Sequence, residues 1–309
     1  MYIKNDDKKI PDGLKQCWLF EISVKGTSSA KRLVELKNKR VILDLDIEIL
    51  KFLYQYEACP IEYIAKAMGY ENIDPIKERL DKLVAQHIVN IFMLTDGAEI
   101  KYKQDAKAFY CLDSGGVTLL RYFGDDADSL DFKLEDLVMN STKLNKRLMA
   151  MDFYFQLKET IGNKLTLYKV NPILSCGGSK YSPKAFFTID DGDNKKAYLL
   201  EISRYEDSYE GESLRFSEKL SKCDAIVNTN AWKKYFNGKK PPTLLVLCEN
   251  DEDALNKAQL IETSGLIQSS RICTIESLKN GLETAFMKYE DEKLKPVKTK
   301  SFAKASKSE

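Results

Sequence analysis

Few residues in this chain are able to do histidine or cysteine chemistry. Its 309 residues include one histidine, His87. That excludes a zinc site built on several histidines and a paired-histidine metal site of the rolling-circle relaxase kind. A Ser-His-Asp triad has only His87 to use as base. His87 stands between Gln86 and Ile88 where a helix stop is expected, a position that favours a basic ring. The seven cysteines (Cys17, Cys59, Cys111, Cys176, Cys223, Cys248 and Cys273) are dispersed, with none at CxxC spacing. Such a set argues against a disulfide framework and a thiolate zinc site. Most lie in apolar stretches and read as small buried hydrophobes. What remains is carboxylate and ammonium chemistry. Two segments concentrate it: Ser182-Pro183-Lys184-Ala185-Phe186-Phe187 and Leu200-Glu201-Ile202-Ser203-Arg204. Elsewhere, Lys77, Lys82 and Gln86 on one predicted helix, and Lys101 and Lys103 on a predicted hairpin, can donate to phosphates or base edges.

The elements that position the second group read as a winged helix-turn-helix over 44–123. Ile49, Leu50, Leu53 and Tyr56 recur at helical spacing. Ile61, Ile64, Ala65 and Met68 follow at i, i+3, i+4 and i+7, and Ile73, Ile76, Leu80, Leu83 and Val84 line a third helix. Asp44 or Asp46 is expected to cap the first helix, Pro60 to open the second, Gly69 to end it, and Asp74-Pro75 to open the third. Apolar strands 88–94 and 107–112 flank Asp96-Gly97, a hairpin turn pair, with Glu99 to Lys103 at the wing's edge. Such a module most often sets its third helix in a DNA groove. Here that helix mixes Lys77 and Lys82 with Glu78 and Asp81, a weak balance for the purpose, and Arg79 borders its apolar face.

Around this module lie an N-terminal extension (1–43), with a strand near Cys17–Val24 and a helix over Ala30–Lys37, and an acidic linker plus connecting helix (124–163). The helix, over 141–160, keeps Leu144, Leu148, Met151 and Phe155 on one face and offers a route to a homodimer. From 164 to 290 strands alternate with helices. The strands are Leu165–Val170, Ala185–Ile189, Ala197–Ile202, Thr243–Cys248 and Arg271–Thr274. The helices are Glu212–Asn230, Asp251–Glu262 and Ile275–Tyr289. That pattern predicts an α/β domain around a mixed sheet. Residues 291–309, rich in lysine, serine and alanine, read as a disordered basic tail. Hydrophobic residues make up 43%, charged residues 31%, and the net charge is +1. DNA contact must therefore come from local patches such as Lys143, Lys146 and Arg147. No apolar run spans a bilayer and the first residues lack a signal-peptide core, so a cytoplasmic chain without membrane contact is expected.

The order of segments resembles the replication-relaxation family of plasmids and integrative elements over about residues 41–280. The likeness includes Leu43-Asp44-Leu45-Asp46-Ile47-Glu48-Ile49-Leu50 and Tyr110-Cys111-Leu112-Asp113-Ser114-Gly115-Gly116. That family's second domain resembles the PD-(D/E)xK nuclease core. There, an Asp after Pro and a Glu on the next strand hold Mg²⁺, and a Lys two positions on steadies water. Here Glu201 is retained, but Lys184 follows Pro183 and Ser203 stands where the lysine belongs. An ammonium in a ligand's place repels a cation, by about 4 kcal/mol at 4 Å and an effective dielectric of 20. A Lys184–Glu201 ion pair replacing the metal is therefore expected. Asp190, Asp191 or Asp193 as a displaced ligand is the rival, although Asp190-Asp191-Gly192-Asp193-Asn194 reads as a hairpin turn.

The resemblance implies a protein of a mobile genetic element that binds double-stranded DNA in replication, transfer or transcription control. Its nuclease-like domain is expected to be inactive, with no cofactor and no metal. Two alternatives remain: a Mg²⁺-dependent nuclease using Glu201, and a protein–protein adaptor that does not bind DNA.

Overall fold

A computed structural model describes residues 17–21, 29–95, 107–124, 141–190, 192, 195–204, 210–236, 238–266 and 269–303. The chain divides into two compact units, Met1–Asn145 and Lys146–Glu309.

The first unit runs β1 (Cys17–Glu21), α1 (Ala30–Asn38), α2 (Asp44–Tyr56), β2 (Ala58–Cys59), α3 (Ile61–Ala67), α4 (Asp74–Ala85), β3 (Val89–Thr95), β4 (Lys107–Leu112) and α5 (Ser114–Phe123). Its antiparallel sheet has the order β1-β3-β4-β2. Helices α2, α3 and α4 bury the residues that share a face: Ile49, Leu50 and Leu53, then Ile64 and Ala65, then Ile76, Leu80 and Leu83. The first helix is capped from its third position, not its cap residue. Leu43 precedes it, and the Leu43 N–H donates to Asp46 Oδ2 at 2.7 Å. Asp46 is fully buried and also holds Arg79. Nε of that arginine lies 2.9 Å from Oδ1, its Nη2 meets Oδ2, and Nη2 donates to the Val41 carbonyl at 2.9 Å. Arg79 therefore ties α4 to α2 and does more than cover an apolar edge.

Past the end of α4, His87 takes a left-handed backbone (φ 55°), which stops the helix. Its carbonyl accepts from the Gly115 N–H at 3.0 Å. A Cβ on Gly115 would lie 2.5 Å from that oxygen, so the first turn of α5 needs glycine. Asp113 caps α5 through the Ser114 N–H at 2.6 Å.

The second unit begins within α6 (Ser141–Ile161). It continues with β5 (Leu165–Val170), β6 (Leu174–Cys176), β7 (Ser179–Tyr181), β8 (Ala185–Asp190), β9 (Lys195–Ser203), α7 (Glu210–Asn228), β10 (Thr243–Cys248), α8 (Asp251–Ser264), β11 (Ser270–Thr274), α9 (Ile275–Lys279), β12 (Met287–Glu290) and β13 (Lys293–Pro296). A mixed seven-stranded sheet has the order β13-β12-β11-β10-β9-β8-β5. Strands β9, β10 and β11 are parallel and joined by α7 and α8. The β5–β8–β9 side and the β11–β12–β13 side are antiparallel. Alternate side chains build two cores. Phe187, Tyr198, Leu200, Leu245 and Leu247 pack with Phe153, Leu157 and Ile161 of α6. Phe186, Leu199, Leu244 and Val246 pack with Phe216 and Leu220 of α7 and with Ala258 and Ile261 of α8.

Several expectations need correction. The boundary between units falls at 145/146, because the Met149–Phe153–Leu157–Ile161 side of the connecting helix is part of the second unit's core. Met151 and Phe155, the described part of the face offered to a dimer, are already buried within one chain, and so is Arg147. The helix expected over 275–289 ends at Lys279, because Asn280-Gly281 breaks it and Gly281 takes φ 99°. Residues 291–303 are built into the fold. Asp291 and Glu292, both left-handed, turn the chain from β12 into β13, and Phe302 is fully buried beside Phe286. The β6–β7 hairpin, with Gly177 and Gly178 at φ 54° and 88°, adds a two-stranded element that the strand pattern omits.

Candidate functional site

Register brings Lys184, Glu201 and Ser203 onto one face of the second unit's sheet. Ala185 pairs with Leu200, and the Lys184 N–H donates to the Leu200 carbonyl at 2.7 Å. Residue 184 therefore stands opposite 201, and opposed residues of an antiparallel pair project to the same side. Ser203, two residues beyond Glu201, shares that side, which is the side covered by α7 and α8.

Glu201 is buried, its side chain only 3% exposed, and its Oε2 accepts from Lys219 Nζ at 2.7 Å. Lys219 reaches it from the buried stripe of α7, one turn from both Phe216 and Cys223. The expected Lys184–Glu201 ion pair is thus replaced by Lys219–Glu201, because the α7 ammonium reaches the carboxylate first. Lys184 is half-buried beside the pair. Burial above all, then the Lys219 charge, pulls its ammonium down to about 8; Glu201 opposes the shift, and Arg147 and Lys146 add to it. Burial and the Glu201 charge push the Tyr181 hydroxyl well above its ordinary range and the Cys223 thiol up to about 12.

Ser203 enters a second buried cluster on the same face. Its hydroxyl donates to Asp253 Oδ1 at 2.9 Å, Lys257 Nζ lies 4.0 Å from that oxygen, and the Lys257 ammonium sits 5.0 Å above the Phe216 ring. Arg204, just past the strand, reaches Glu249 at 3.4 Å. Among the described residues, no three His, Cys, Asp or Glu side chains group to hold a metal. Asp190 is no displaced ligand. It pairs with Lys195 at the far end of the β8–β9 hairpin, where its carboxylate accepts from the Gly192 N–H. Six residues of strand separate that rung from Glu201, about 20 Å. Asp191 and Asp193 lie outside the described residues.

In the first unit, Lys77 is exposed on α4. Lys82 is also exposed but is tied to Glu78 at 2.7 Å. Gln86 accepts from Arg32 Nη2 at 3.4 Å. Lys101 and Lys103 lie outside the described residues. The structure adds a set of cations that the sequence reading did not place. Lys31, Arg32 and Lys39 lie on the face of α1 and its cap opposite buried Leu33, with Arg40 following, and all four are exposed. The signal was present: Ser29 is an N-cap whose hydroxyl accepts from the Arg32 N–H, and the basic residues after it recur at helical spacing.

No described helix is long and apolar enough to cross a membrane. No protein-family model matches the sequence, and no curated protein matches it. Among solved structures, one of the restriction endonuclease FokI aligns with 75% of this chain at 16% identity and a TM-score of 0.30. A structure of FokI bound to DNA aligns with 83% at 15% identity and a TM-score of 0.27. The chain spans less than half of each, 42% and 45% respectively. Superposition this loose carries no argument, so function is argued from the side chains.

Proposed function

We propose that this chain is a double-stranded DNA-binding protein: a winged helix-turn-helix in its first unit, and in its second a nuclease-like α/β fold that does not cut. The observation that carries this reading is the Lys219–Glu201 ion pair beside Lys184. Two ammonium groups occupy the surroundings of the one carboxylate that the nuclease motif would retain, and each repels a divalent cation. The order α2-β2-α3-α4-β3-β4, with β2 closing the sheet, supports the winged reading. Cations on α1, joined to the end of α4 by Arg32–Gln86, supply phosphate donors that α4 lacks. The likeness of residues 41–280 to the replication-relaxation family supports work in replication, transfer or transcription control of a mobile element.

Two measurements test this. Duplex DNA binding should be strong at low salt and fall steeply as salt rises; its absence at low salt favours an adaptor. Supercoiled plasmid should survive incubation with protein and Mg²⁺, whereas nicking that disappears in Glu201→Ala would establish an active nuclease instead.

A further inference from the structure

Resting on the DNA-binding reading, we propose that Lys184 and Lys219 form a metal-free seat for one backbone phosphate of DNA. Glu201 lies beneath them as the anion that fixes Lys219. The three groups together carry a net charge of +1. Glu201 directs Oε2 at Lys219 and is almost wholly buried, so it stays out of a ligand's way. Lys219 has three N–H donors, spends one on Glu201, and is one-third exposed, which leaves donors turned toward solvent. Lys184 makes no side-chain hydrogen bond or ion pair within the described residues, although it is half-buried beside a second cation. Two ammonium groups crowded together with donors to spare form an incomplete arrangement. A phosphate monoanion completes it by supplying acceptor oxygens and the missing negative charge. In a nuclease a divalent ion would neutralise that phosphate; here fixed lysines do so, and the backbone is held without being cut.

The test uses the full chain and a 20-base-pair duplex. Acetylation of native lysines is followed by mass spectrometry with and without the duplex at low salt. In parallel, binding is measured against salt for the wild type, Lys184→Met, Lys184→Arg and Lys240→Met, an exposed control. The expected result is that acetylation of Lys184 and Lys219 slows in proportion to the bound fraction. The log–log salt slope should fall by about 0.9 in Lys184→Met, equivalent to about eightfold weaker binding at 0.1 M salt, while Lys184→Arg and Lys240→Met keep the wild-type slope. If the duplex binds but leaves both lysines unprotected and the slope unchanged, the seat is refuted and the DNA-binding reading stands. Protection by inorganic phosphate alone, with none from the duplex, also refutes it. If the wild type binds no duplex at low salt, both readings fall. Footprinting needs no variant, so a Lys184→Met protein that failed to fold would not block the decision.

Discussion

Replacing Lys219 by methionine should destabilise the second unit by about 3 kcal/mol, several times the effect of Glu201→Gln. The asymmetry follows from exposure. Glu201 is 3% exposed and Lys219 33% exposed. Removing the lysine strands a carboxylate that water reaches poorly, and breaking a buried pair from that side costs about 3–5 kcal/mol. Lys184 nearby holds the effect at the lower end. Removing the acid leaves an ammonium that turns to solvent, so the loss is close to that of one charged hydrogen bond, about 1 kcal/mol. The double variant Glu201→Gln/Lys219→Met should then be more stable than Lys219→Met alone by about 2 kcal/mol. Urea unfolding followed by tryptophan fluorescence measures this. The sequence has two tryptophans, and in a Trp18→Phe background buried Trp232 reports the second unit alone. A loss below about 1 kcal/mol in Lys219→Met would refute the claim that a desolvated ion pair holds this site.

Other outcomes follow from the same structure. Because the folded-state pKa of Lys184 is lowered to about 8 from 10.5, the folded unit bears the full cost of that buried charge below pH 8. Stability should then rise by up to about 3 kcal/mol between about pH 8 and 10.5 as the ammonium deprotonates, a rise that Lys184→Met should abolish in pH-dependent denaturant titrations. Arg79→Met leaves Asp46 fully buried without its guanidinium and should cost the first unit about 3 kcal/mol, read as a lowered thermal midpoint. Phe302→Ala empties a site packed against Phe286 and Tyr198 and should cost about 3–5 kcal/mol; a loss within error would place Phe302 outside the core.

The central strands of the second unit were legible because apolar runs such as Thr243–Cys248 and Ala185–Asp190 are bounded by turn residues and filled on both faces. The segment after Thr274 misled for an instructive reason. Leu278, Leu282 and Phe286 recur every four residues and all enter one core, yet only Leu278 is helical. Burial imposes the spacing whether or not the backbone is a helix, and Asn280-Gly281 was the stronger signal. At the candidate site, the cation near Glu201 was readable from Lys184, but its partner was not. Lys219 lies eighteen positions from Glu201 on another element, and only helix phase brings the two together. A lysine between Phe216 and Cys223 on an apolar stripe was the available hint, as was the Asp253–Lys257 spacing on α8.

The β12–β13 hairpin has a consequence for assembly. Strand β13 ends the seven-stranded sheet and presents Lys293, Lys295 and Pro296 to solvent. Charge discourages the approach of a further strand, and proline withholds a ladder donor, so this rim is protected from extension by another chain. Growth of the sheet into fibrillar stacks is blocked on that side, and lysines that resemble a nucleic-acid tail in the sequence serve solubility in the folded molecule.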